Sequence, residues 1–159
     1  MFEPRAADLD RADIESALLR GAVGDYADEA AMLLLINFGH WLPQLQSAAL
    51  ITLDPGVEED APWAQVAWSD LEDALSDGLI VGGSVELRVL RAAASIAEGQ
   101  SVDLGDLAGG LDRRGLVLVL AAIAHAAGSH EHREITPGRN GVPDLGDRLP
   151  PVVAWPLCD

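Results

Sequence analysis

The sequence predicts an α+β fold: a predominantly α-helical single domain with a small central β element. Three observations predict it. Apolar residues recur at helical spacing behind capping Asp or Ser residues through most of the chain. Two short β-like runs, Ala48 to Leu53 and Trp63 to Trp68, flank the turn signal Asp54-Pro55-Gly56. A length of 159 residues, 49% apolar and 23% charged, is globular and long enough to bury one core.

The elements follow in order. Asp10 caps a helix over about residues 11–20, burying Ile14, Ala17 and Leu18, with Gly21 as its stop. Asp25 caps a second helix over about 26–42, with Asp28 and Glu29 at the positive end of its dipole and Pro43 beyond its end. The run Met32-Leu33-Leu34-Leu35-Ile36 is apolar nearly all round and makes this helix central. In the second β run Ala64, Val66 and Trp68 share a face. Ser69 and Glu72 form a capping box for a short helix stopping near Gly78, and Leu79-Ile80-Val81 reads as a third small strand. Ser84 caps a helix over 85–98 with Leu87, Leu90, Ala94 and Ala97 on one face. A short helix over 103–108 follows. Asp112 then caps a helix over 113–127, whose Leu116, Val119, Leu120 and Ile123 form the expected core stripe. The globular domain is expected over 1–135. Residues 136–159 hold Pro137, Pro143, Pro150, Pro151 and Pro156 and read as a tail extended over the surface or partly flexible.

Charge narrows the function classes. The formal net charge is −16, and all ten basic residues are Arg. Residues 1–77 carry 16 acidic side chains against three Arg, whereas residues 78–159 carry ten against seven. Such a field repels nucleic acid and anionic membrane and steers a basic protein surface; it also serves solubility, including in high salt. The lone cysteine, Cys158, excludes an intrachain disulfide and a Cys-based zinc cluster. No secretory signal is evident at the first residues, and the apolar run Leu116 to Ala127 is too short to span a bilayer. A cytoplasmic location is expected.

The chemistry-bearing motifs are sparse. No Ser lies in a Gly-x-Ser-x-Gly elbow, and Gly82-Gly83-Ser84 lacks the Lys and spacing of a phosphate-binding loop. No motif calls for a cofactor. His130 and His132 bracket Glu131 and could share a divalent metal if both point one way, with a third ligand from His125, His40 or Glu134. A hydrated turn at a helix exit explains the same residues. Trp63 beside the acidic stretch Glu58-Glu59-Asp60 forms a protein-binding anchor if it is exposed, and a core residue if it is not.

Residues 84–128 carry a helix with Leu87-Arg88-Val89-Leu90, then Val102 to Ala108, a turn at Gly109-Gly110, and Leu111-Asp112-Arg113-Arg114 opening a third helix. This order resembles that of winged-helix regulators, with Thr136 to Gly141 in the place of a wing tip. The resemblance implies DNA contact through Arg113 and Arg114. It departs from the pattern where bases would be read, since Val117, Leu118, Ala121 and Ala122 stand where polar side chains are needed. The leading expectation is a non-catalytic acidic adaptor, inhibitor or regulator that engages a basic protein surface through Asp54, Glu58, Glu59, Asp60 and Trp63. A DNA-associated regulator using Arg113 and Arg114, and a small metal-dependent enzyme using His130 and His132, are the alternatives. A homodimer is compatible with each.

Overall fold

The computed structural model describes residues 5–54, 56 and 61–157. Their α-helices are α1 (Arg11–Ala22), α2 (Tyr26–Phe38), α3 (Leu42–Ser47), α4 (Leu71–Ser76), α5 (Ser84–Glu98), α6 (Leu104–Gly110) and α7 (Arg113–Ala126). Two antiparallel pairs complete the fold, β1 (Ile51–Asp54) with β2 (Trp63–Val66) and β3 (Arg133–Pro137) with β4 (Pro143–Arg148). The mostly helical α+β architecture is the one expected. None of the described helices is long and apolar enough to cross a membrane.

Asp caps set the helix starts. Asp10, Asp25, Asp103 and Asp112 each accept a hydrogen bond from a backbone N–H in the first turn of the helix that follows. The α2 helix packs against α1, α5 and α7 and is the central element. Its Ala30, Ala31, Leu34 and Leu35 are buried, as the all-round apolar run requires. It ends at Phe38, earlier than expected, because Gly39 adopts the left-handed conformation with φ +82° and closes it. Pro43 then falls in the first turn of the separate helix α3, where a missing N–H costs nothing. Trp41, at the junction, is fully buried and donates from Nε1 to the Glu86 carbonyl at 2.7 Å, tying α3 to α5.

Several boundaries differ for physical reasons. Gly21 does not stop α1, which runs to Ala22; it lets β2 approach. A Cβ at Gly21 would lie 2.2 Å from the Ala64 carbonyl oxygen. We expect Gly21→Ala to lower stability in a denaturant melt by about 1–3 kcal/mol, since β2 must shift. Its better helix propensity, about 1 kcal/mol, offsets only part of that clash. The first strand is shorter than expected, Ile51–Asp54, because α3 and its turn occupy residues up to Ala49. In β2, Ala64 and Val66 are buried, and Trp68 is buried just beyond the strand.

The expected third strand at 79–81 does not form. The Gln44 side chain takes the place of a neighbouring strand: Val81 N–H donates to Oε1 at 2.7 Å, and Nε2 donates to the Val81 carbonyl at 2.9 Å. Only Ile80 of the three is buried. The capping box at Ser69 and Glu72 is also missing, because the chain enters α4 from a 3₁₀ turn and Asp70 already has helical backbone angles. The α5 helix begins at Ser84 itself, behind an extended Gly83, and buries Val89, Leu90 and Ala92 to Ala94.

The face of α7 is the largest departure. Gly115, Leu118, Val119, Ala121, Ala122 and Ala124 are buried, while the expected core residues Leu116, Leu120 and Ile123 are 39%, 42% and 47% exposed. Small side chains allow α7 to lie close on α2, and that contact outweighs the larger residues on the other side. The first part of the Pro-rich stretch lies in the β3–β4 hairpin, which begins at Arg133.

Candidate functional site

Of the residues expected to bind a partner, Asp54 and Trp63 fall at the mouth of the β1–β2 hairpin. Asp54 and Trp63 face each other across the ladder as its last paired residues, and both are exposed, Trp63 by 36%. Asp54 Oδ1 accepts from the Gly56 N–H at 3.0 Å, an Asx turn leading into the connection. Glu58, Glu59 and Asp60 lie outside the described residues.

Beside this hairpin, where α1, α2 and β2 meet the end of α5, is a surface pocket of about 110 Å³. Leu18, Met32, Val66 and Trp68 supply apolar wall, and Asp28, Glu98 and Gln65 supply polar groups. Asp28 is held above the ordinary carboxylate range, first by its burial and then by the charges of Asp25 and Glu98. An ionised Asp28 therefore sits in uncompensated negative potential next to apolar surface. Sequence reasoning placed Asp28 only at a helix dipole and did not single out Glu98. The two are seventy positions apart in sequence, and no local pattern joins them.

The arginines of the winged-helix resemblance are placed differently from each other. Arg114 donates to the Asn37 and Phe38 carbonyls at 3.0 and 3.1 Å, and its guanidinium lies 5.2 Å from the centre of the Phe38 ring. It satisfies the C-terminal carbonyls of α2, where a cation also suits the dipole. Arg113 is exposed. Leu118, Ala121 and Ala122, in the position of a reading face, are buried, and the outward stripe of α7 is apolar. No protein-family model matches the chain, and no curated protein or solved structure matches it significantly.

The histidines form a second cluster that joins two of the expected candidates, His130 and His125, but takes Glu29 in place of His132. His130 lies in a 3₁₀ turn at Ser129–Glu131 after α7, and His132 beyond it is exposed and outside the cluster. His130 stacks on His125 of α7 with ring centres 4.0 Å apart and planes 14° from parallel. Glu29 of α2 joins them, its Oε1 2.7 Å from His125 Nε2. Trp155 donates from Nε1 to His125 Nδ1 at 3.4 Å. Because an indole nitrogen only donates, His125 Nδ1 is the acceptor, and its proton sits on Nε2, which donates to Glu29. Tyr26 sets its ring edgewise to both imidazoles. His130 Nδ1 is buried without a hydrogen-bond partner. His40 lies elsewhere, with its Nε2 3.0 Å from the Val81 carbonyl. A single signal pointed to the cluster: His125 and His130 are five apart, across a helix end that turns the chain back.

Proposed function

We propose that the chain is a non-catalytic interaction protein that docks a basic surface of a protein partner on the face formed by the β1–β2 hairpin and the adjoining pocket. The observation that carries this reading is the pairing of Asp28 and Glu98 with apolar wall in one pocket. An arginine or lysine side chain matches it, because its aliphatic stem packs on apolar surface while its charged head meets carboxylates. A cation there would also relieve the field that holds Asp28 above its ordinary range. Trp63 and Asp54, exposed at the hairpin mouth, would extend the contact, with Glu58, Glu59 and Asp60 in the connection adding charge. The concentration of acidic side chains in residues 1–77 favours a basic partner and opposes nucleic acid.

The test begins with the full chain immobilised in nuclease-treated lysate, and the retained partner is then purified for titration. Affinity should fall steeply between low and high salt, as it does for contacts made through exposed charges. Affinity that stays level across that range, or a partner that prefers the chain with Asp28 and Glu98 neutralised, would end the reading.

A further inference from the structure

The geometry points to Glu29, His125 and His130 as a binding site for a zinc-class divalent cation. A ligand atom from each of the three lies within 4.8 Å of the others. Two imidazoles and one carboxylate are a donor set suited to a borderline ion such as Zn²⁺, and three protein ligands leave one tetrahedral position for water. The elements that present them are firm: α2 and α7 pack on each other through the core, and the 3₁₀ turn carrying His130 packs on α7.

Two features distinguish the cluster from a chance meeting of polar groups. The first is the orphaned His130 Nδ1, since a buried imidazole nitrogen without a partner is a cost that a ligated ion removes. The second is the enclosure. Tyr26 lies edgewise to both rings and the His125 side chain is only 11% exposed, while Glu29 at 32% stays partly open for entry.

Closing the site requires modest rearrangement, and this gives the proposal its signature. Ligand atoms around a tetrahedral zinc stand about 3.4 Å apart, so the side chains must move by on the order of 1 Å. Stacked rings direct their lone pairs side by side, so His130 turns about its ring torsion to bring Nδ1 onto the ion. At His125 the lone pair must appear on Nε2. The proton there exchanges through water to Nδ1, which then confronts the Trp155 N–H, and that 3.4 Å hydrogen bond is given up. Ion binding and the Trp155 contact are therefore mutually opposed.

The experiment uses tag-free full-length protein titrated with Zn²⁺ against a chromophoric chelator, with circular dichroism confirming that each variant is folded. One equivalent should bind. His130→Ala and Glu29→Gln should each weaken binding about tenfold or more, a loss at least as large as that of a group one shell further out. Gln at position 29 can still accept from His125 Nε2, so the fold does not depend on the charge. His132→Ala should bind as the parent does. Trp155→Phe, which removes the competing donor, should bind about three- to tenfold tighter, the worth of one ordinary hydrogen bond. Sub-stoichiometric zinc, binding indifferent to positions 29 and 130, or loss of binding in His132→Ala overturns the site. Unchanged or weaker binding by Trp155→Phe overturns Nε2 of His125 as the ligand atom.

Discussion

Trp41→Ala is expected to be the most destabilising single truncation in the core, removing a large share of the folding free energy. Trp41 is fully buried between α3 and α5, and its indole N–H holds the Glu86 carbonyl at 2.7 Å. Its ring is also packed against the Gly82 backbone, where even an added Cβ would lie 2.7 Å from it. Truncating a large buried aromatic leaves a cavity that costs about 3–5 kcal/mol, out of a total stability of about 5–15 kcal/mol for a domain. Trp41→Phe keeps most of the ring volume and loses the hydrogen bond, so its cost should be clearly smaller. A denaturant titration of both variants measures the difference. A Trp41→Ala variant as stable as the parent would mean that α3 and α5 are not joined through this side chain.

The double substitution Asp28→Asn with Glu98→Gln should separate stability from binding, moving them in opposite directions. Affinity for the basic partner should fall about tenfold or more, the worth of a hydrogen bond to a charged group. Stability should rise. Folding raises the Asp28 pKa, by burial first and then by the charges of Asp25 and Glu98. A carboxyl of that kind is held more firmly in its protonated form by the folded protein than by the unfolded chain. Its contribution is therefore favourable below its ordinary value of 3.8 and is lost as pH rises through the folded pKa. At neutral pH Asp28→Asn should melt higher than the parent, and the advantage should vanish in acid below about 3.8. Thermal melts across pH, together with titrations of the partner, check both halves.

Three helix starts were legible because Asp caps act locally: Asp10, Asp25 and Asp112 each meet an N–H two or three residues ahead. The alternation in β2 was legible for the same reason. What failed depends on partners distant in the chain. The orientation of α7 was misread because apolar residues run nearly all round it, with the small ones and Leu118 and Val119 on one side and Leu116, Leu120 and Ile123 on the other. The choice between the two sides is made by how closely α2 approaches. The absence of a strand at 79–81 rests on Gln44, thirty-seven residues earlier. Of the candidate sites, Asp54 and Trp63 were picked out by turn signals and composition, but whether Trp63 is exposed or in the core was not legible, since that depends on what packs over the hairpin. His130 with His125 was among the metal-ligand sets the sequence offered; Asp28 with Glu98, and Glu29 beside the two imidazoles, could not be anticipated, because tertiary folding alone brings them together.

The β3–β4 hairpin gives the molecule two tiers of resistance to opening. Among the described residues both strands pair only with each other, and Ile135, Val142 and Leu145 near the tip stand 65–72% exposed. Its base is fastened by the Leu149 N–H to the His132 carbonyl at 2.7 Å and by Arg148 with Glu131 at 2.8 Å. A two-stranded ladder of this kind has little stability of its own. Its amides should exchange with deuterated water through local fraying, while those of α2 exchange only when the whole core opens. Trypsin should accordingly nick the turn after Arg139 long before it reaches the helices, leaving a core that still melts cooperatively.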